Sequence, residues 1–144
     1  MSAPALALGC AFLRASGGKT VCVDLVNKSV RWTAELTTSA FAQTSMAHDG
    51  ELAYVTTGGM IAALGIDGVP VWQERSKLTF DASPIVVGPY VVVAGTDRIL
   101  RMLDRKTGAK AKELDLGDKL IATPTIVDGV VYVPGSSGTL FAID

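Results

Sequence analysis

The chain repeats itself every forty residues, and a period of that length decides the architecture before any single motif can. Ser83-Pro84-Ile85-Val86-Val87 returns as Thr123-Pro124-Thr125-Ile126-Val127, Gly95 as Gly135, and Leu103-Asp104 as Ile143-Asp144. Upstream, Trp32 returns as Trp72, and Gly68, which follows Asp67, as Gly108, which follows Thr107. The pair Gly17-Gly18 returns as Gly58-Gly59 with one residue more.

Within each period the apolar residues come in short runs rich in Val and Ile, separated by Gly, Asp and Asn, which is a strand-and-turn pattern. The clearest unit is Ala82 to Leu116, with strands predicted at Ser83 to Val87, Tyr90 to Ala94, Arg98 to Asp104 and Ala109 to Leu116. Turns fall at Gly88-Pro89, Gly95-Thr96-Asp97 and Arg105-Lys106-Thr107-Gly108. Ile99, Met102 and Leu103 would also suit one face of a helix, but the equivalent stretches Thr20 to Asp24, Met60 to Gly65 and Thr139 to Asp144 are too short and too rich in strand formers for one. Asp49-Gly50 and Asp128-Gly129 suit the hairpin between the first two strands, where positive φ favours Asp and Gly. Four antiparallel strands per period is one propeller blade. The expected fold is therefore all-β, a partial β-propeller of about four blades over residues 3–36, 43–75, 82–116 and 122–144, forming one segment across 1–144. Val91-Val92-Val93 and Val130-Val131 fail to alternate with polar residues, as strands buried on both faces do.

Composition agrees with many buried strands and tight turns: 49% of residues are hydrophobic, 19% are charged and 15 are Gly. A chain of 144 residues is long enough to bury a sizeable core. Thirteen basic against fourteen acidic residues give a formal charge of −1, which disfavours nucleic acid as a partner. No apolar run approaches the length of a membrane span. Ala3 to Cys10 superficially resembles the end of a lipoprotein signal, but no basic residue precedes the short apolar run, so Leu6 and Leu8 are assigned to the first strand. Cys10 and Cys22 are too few for a disulfide framework; a single bridge stays open.

Gly138-Thr139-Leu140-Phe141-Ala142-Ile143-Asp144 resembles the Gly-x-Leu-Tyr-Ala-Leu-Asp of pyrroloquinoline-quinone (PQQ) type propeller repeats. The Thr-Gly-Lys turn and outer-strand Trp that follow in such repeats are matched in pieces by Asp104 with Thr107-Gly108-Ala109-Lys110, Asp67-Gly68 with Trp72, and Asn27-Lys28 with Trp32. The resemblance implies that Trp32 and Trp72 dock against neighbouring blades, with Gly68 and Gly108 in the turns and Cys22, Ala63, Met102 and Ala142 in a column of small residues. Two positions depart: Lys112 stands where the third blade should carry its Trp, and Gly65 where the second should carry Asp. The fourth blade stops before its outer strand. An open arc leaves apolar blade faces in water, and such patches mark interfaces. The arc is completed by further blades of a longer protein, by closing on itself as a ring of four, or, as favoured here, by association. The partner expected is a protein or another copy of the chain, two sets of four blades closing a ring of eight as a homodimer.

No catalytic site is assembled. PQQ-dependent dehydrogenases, which the resemblance invites, use an acidic base, a calcium or lanthanide ion and adjacent cysteines; here Cys10 and Cys22 are apart and no acidic cluster has calcium-type spacing. No cofactor or metal is therefore assigned to this chain. The alternative is a fragment of such a dehydrogenase whose cofactor site lies in other blades. His48, the only histidine, sits beside a turn and lacks a positioned partner for base catalysis. Gly17-Gly18-Lys19-Thr20 imitates the tail of a phosphate-binding loop, but Leu13 stands where a Gly is required and strand follows where a helix should. Arg98, Arg101, Arg105 and Lys106, with Lys110 and Lys112, concentrate positive charge in the third blade. They form a candidate rim for an acidic partner, set against a solvated turn in which Asp97, Asp104 and Glu113 cancel the field. The leading expectation is a non-catalytic protein-binding or scaffolding module. It resembles propeller lipoproteins of β-barrel assembly and sensor propellers.

Overall fold

The computed structural model describes residues 4–36, 46–76 and 79–144. The starts of the first two predicted blades, at Ala3 and at 43–45, lie outside the described residues. Four antiparallel meanders follow one another along the chain, each pairing only strands adjacent in sequence. The first comprises β1 (Ala5–Ala7), β2 (Cys10–Arg14), β3 (Lys19–Asp24) and β4 (Ser29–Glu35). The second comprises β5 (Met46–His48), β6 (Ala53–Thr57), β7 (Met60–Leu64) and β8 (Pro70–Arg75). The third comprises β9 (Ile85–Val87), β10 (Tyr90–Ala94), β11 (Ile99–Asp104) and β12 (Lys110–Asp115). The fourth has three strands, β13 (Thr125–Val127), β14 (Val130–Pro134) and β15 (Leu140–Ile143). The fold is an all-β partial propeller whose last blade has no outer strand.

Three details differ from the sequence reading. Leu8 belongs to a turn and not to β1: Ala7 pairs directly with Cys10, and Leu8 and Gly9 between them both take positive φ. Arg98 is the last residue of its turn, with φ at 72° and its amide donating to Gly95 O, so β11 starts at Ile99. The first strand of the third blade starts at Ile85, because its ladder with β10 begins where Ile85 meets Val92.

The register makes the repeat physical. Cys22 pairs with Trp32, Ala63 with Trp72 and Met102 with Lys112, and in each blade the ladder slips immediately afterwards, at Cys22/Val23, Ala63/Leu64 and Met102/Leu103. A bulge at one fixed place bends the outer strand of every complete blade in the same way. Asp24 and Asp104, equivalent in register, each accept two amide hydrogens of the following turn, from Val26 and Asn27 and from Lys106 and Thr107. In the second blade Gly65 holds that place and Asp67 caps Val69 N instead. The exchange is steric as well as polar, because a Cβ on Gly65 would lie 2.9 Å from Asp67 Oδ1.

The core lies in three seams between successive blades. Cys10, Phe12 and Cys22 pack against Val55, Ala62 and Leu64 in the first. Tyr54, Ile61 and Ala63 meet Val91, Val93 and Leu103 in the second, and Val92, Ala94 and Leu100 meet Val131 and Val133 in the third. All residues of β6 and β7 are buried, as two-sided packing requires. The segments between blades lie against second-to-third-strand turns: Phe80 N donates to Gly58 O, Leu120 N to Gly95 O and Ser136 N to Lys119 O. Within the first blade, Cys10 and Cys22 form a disulfide with their Cα atoms 5.5 Å apart, which answers the question the sequence left open.

Candidate functional site

An antiparallel meander places the second-to-third-strand turns at one rim of the arc and the third-to-fourth-strand turns at the other. At the latter rim each outer-strand tryptophan reaches across to the next blade. Trp32 Nε1 donates to Ile66 O at 2.8 Å and its indole lies over Gly68, where a Cβ would come within 2.4 Å of the ring. Trp72 Nε1 donates to Arg105 O at 2.9 Å and its indole covers Gly108, where a Cβ would come within 2.6 Å. Both glycines also have positive φ, at 79° and 75°, so the seat needs Gly twice over.

The second seam carries an additional polar cluster that sequence reasoning missed. Tyr54 Oη donates to Asp49 Oδ2 at 2.6 Å and also approaches Arg105 O at 3.2 Å, the oxygen that Trp72 uses. Arg105 Nη1 lies 3.5 Å from Asp49 Oδ2. Burial, then the neighbouring Asp49 carboxylate, pushes the Tyr54 phenol well above its ordinary range. Burial opposes ionisation of Asp49, but the Tyr54 hydroxyl and the Leu52 and Glu51 amides hold its carboxyl below the usual value. Tyr54 and Asp49 are separated by five residues, and only the hairpin brings them together; an Asp-Gly turn followed by Tyr is the local signal.

The third seam is built differently. Val92 and Lys112 stand at the register positions filled by Tyr54 and Trp72 one blade earlier. A cleft of about 300 Å³ opens there, lined among others by Tyr90, Val92, Met102, Lys112 and Ile143. Ala142 pairs with Tyr132 and is exposed, on the far face of the fourth blade.

The four cations singled out in sequence do not converge. Arg98 sits at one end of β11 and Arg105 and Lys106 at the other. Arg98 is paired with Asp115 at 3.0 Å. Arg101 forms an ion pair with Asp97, approaches Glu113 at 3.4 Å, and lies over the Phe80 ring 5.8 Å from its centroid. Lys106 is exposed. His48 is exposed at the end of β5, and Gly17-Gly18 lie in a single 3-10 turn that leads into β3. Among the described residues no group of three His, Cys, Asp or Glu side chains is placed to hold a metal ion. Among the described residues no helix is long and apolar enough to cross a membrane.

Two blade faces have no neighbour among the described residues. On the first blade they are Leu6, Ala11, Leu13, Val21 and Val23, which share one face by register and lie opposite the seam with the second blade. On the fourth they are Val127, Val130, Tyr132, Pro134 and Leu140. Leu6 and Leu140 are 63% and 62% exposed. Leu13 occupies the place that Val55, Val93 and Val133 hold in blades that do receive a preceding one, and Tyr132 the place of Phe12 and Tyr54 in blades that precede another.

A family model described as outer membrane protein assembly factor BamB, PQQ_2, matches residues 2–144. The crystal structure of BamB from Moraxella catarrhalis superimposes with a TM-score of 0.85 at 26% identity, over 99% of this chain and 49% of that one. The chain thus spans about half the length of that relative. The computationally designed Ika4 protein gives a TM-score of 0.83 at 16% identity, over 99% of this chain and 92% of that one. The quinohemoprotein alcohol dehydrogenase from Comamonas testosteroni gives 0.79 at 15%, over 94% of this chain and 29% of that one. No curated protein sequence matches. The last two likenesses show a shared fold alone.

Proposed function

The chain belongs to the PQQ_2 family, that of the outer membrane protein assembly factor BamB, and from that premise we propose that it is a non-catalytic protein-binding propeller module. In this reading residues 1–144 act as one segment whose terminal blade faces are covered by further blades, supplied by a second copy of the chain. The observation that carries it is the pair of unpartnered faces. Leu13 and Tyr132 stand where inner blades place residues buried against a neighbour, so one copy's fourth blade presents to another's first the same kind of surface that already packs inside the arc. Two copies also supply about the length of the BamB chain, of which one covers 49%. Two such contacts related by a two-fold axis close the ring and leave no blade face uncovered. Trp32, Trp72, Gly68, Gly108 and Ala63 act as blade-docking residues inside each copy, and Ala142 becomes one when a blade covers Tyr132. Protein partners then bind the turns at the two rims.

Light scattering after size exclusion tests the arrangement: the expected mass is twice the 15.0 kDa of one chain, with Leu13→Asp reducing it to one. A mass of one chain at all concentrations would remove the paired arc. The non-catalytic reading is tested by melting the protein with PQQ and calcium. No shift is expected, whereas a rise would favour a dehydrogenase fragment, because a ligand bound only to the native state must stabilise it.

A further inference from the structure

At one corner of the first seam the repeat is broken by polar residues. Near the end of the second strand and the start of the third, one register position pairs Thr56 with Ile61 in the second blade and Ala94 with Leu100 in the third. Ile61 and Leu100 are 2% and 1% exposed and fill their seams with hydrocarbon. In the first blade the same pair is Arg14 with Thr20. Arg14 reaches the second blade, donating from Nη1 to Thr56 O at 3.3 Å and from Nη2 to Thr57 Oγ1 at 2.8 Å. Its Nε is buried without an acceptor, and Thr20, 0% exposed, has an Oγ1 without a partner.

No carboxylate is paired with this guanidinium among the described residues, and positions 37–45 and 77–78 contain no Asp or Glu. Two partly buried cations of the third blade each have one: Arg101 has Asp97 and Arg105 has Asp49. Consistently, burial alone pulls the Arg14 guanidinium below its ordinary value. Thr57, the acceptor for Arg14 Nη2, also lines a cleft of about 250 Å³ with Leu36, Met60 and the exposed Arg75. Thr57 thus links Arg14 to a cleft on which a second cation, Arg75, stands.

A charge drawn partly out of water without a counter-ion is costly, and a water molecule satisfies its hydrogen bonds without cancelling its charge. Thr20 is the cross-strand partner of Arg14, and an oxyanion is the group that can accept from a guanidinium N–H and a hydroxyl together. We propose that Arg14 and Thr20, with Arg75 at the entrance, form a binding site for a small oxyanion, a carboxylate or phosphate group, in the seam between the first two blades. The site is independent of how the arc is closed.

The test is thermal melting in sodium phosphate, in sodium acetate and in sodium chloride at matched ionic strength. The protein is compared with Arg14→Ala/Thr20→Leu, whose residues already stand at positions 94 and 100 of the same fold, and with Arg14→Lys. The protein is expected to gain several degrees over chloride in a saturable manner. The double variant should fold with the same circular dichroism and gain nothing over chloride, and Arg14→Lys, which keeps charge but not the fork, should retain only part. A response to phosphate alone identifies a phosphate group and a response to acetate alone a carboxylate. Equal melting in all three salts, as buried water alone would give, or an equal gain in the double variant, would overturn the proposal.

Discussion

Gly108 lies under the indole of Trp72, with no room between them for even one carbon: a Cβ would come 2.6 Å from Cε3 of the ring. The backbone there has φ of 75°, so a side chain would meet both a steric wall and a disfavoured conformation. Gly108→Ala is expected to cost about 2 kcal/mol or more, of which the left-handed backbone accounts for roughly 1. Gly50→Ala isolates the backbone part, because φ is 95° and nothing lies within 4 Å of the added carbon. Urea unfolding of both variants checks this; equal losses would show that the indole does not rest on Gly108.

The two tryptophans make the same hydrogen bond in different surroundings. Trp72 Nε1 bonds Arg105 O in a partly buried setting next to Tyr54, whereas the bond from Trp32 to Ile66 O is exposed. Replacing Trp by Phe should therefore cost about 1 kcal/mol or more at 72 and less at 32, since a buried acceptor left unpaired loses more than a wet one. Trp72→Ala should cost about 3–5 kcal/mol by removing the ring as well. The comparison is read from denaturant midpoints, and a larger loss at Trp32→Phe would contradict it.

Acid should destabilise the fold over a definite window. The amide of Asn27, then Arg31, hold the Asp24 carboxyl at about 2, and the hydroxyl and amide of Ser137 hold Asp118 at about 2. A carboxylate whose folded value is depressed gives stability that is fully present above its unfolded value, near 4, and is lost as pH falls through the folded one. The melting temperature should thus stay level from neutral pH to about 5 and fall between about 4 and 2. Asp118→Asn should flatten part of that fall; an unchanged acid profile would show that the Ser136 and Ser137 contacts are not formed in solution.

Tyr54 predicts the opposite end of the scale. Its value is raised above the ordinary phenol, so its contribution is intact below about 10 and lost at higher pH. Tyr54→Phe should remove this alkaline loss while weakening the protein at neutral pH, because Asp49 loses its hydroxyl donor. Ultraviolet titration of tyrosinate during alkaline melting follows it directly, and a Tyr54 that ionises at the ordinary phenol value would refute the buried arrangement.

The Cys10–Cys22 bridge should protect both thiols from alkylation in denaturant until a reductant is added, with the result read by mass. It closes a sequence separation of 12, for which chain entropy gives a stabilisation of roughly 3 kcal/mol. Two free thiols in the unreduced protein would exclude the bridge.

Strand and turn positions were legible in the sequence because they are local properties. A run such as Tyr90 to Ala94 is a strand by its own residues, and Asp128-Gly129 makes a two-residue hairpin whatever lies opposite. The forty-residue recurrence then removed the helical alternative at Ile99 to Asp104, where one blade alone is ambiguous. The sequence also showed Lys112 in a tryptophan's place, and the cleft between Val92 and Ile143 is what that exchange leaves behind.

What the sequence by itself determined, then, was the order of strands, the turns and the number of blades, since these depend on residues within a few positions of each other. The tertiary structure alone decided which carboxylate neutralises which cation, that Trp72 and Tyr54 share Arg105 O, that the cysteines meet, and that Arg14 lies in a seam with no carboxylate among the described residues. Apart from the disulfide, which lies within one blade, the relations between blades join residues as far apart as Asp49 and Arg105, and they depend on how one blade is rotated and displaced against the next. Packing between neighbouring blades sets that rotation, and no local pattern of residues records it.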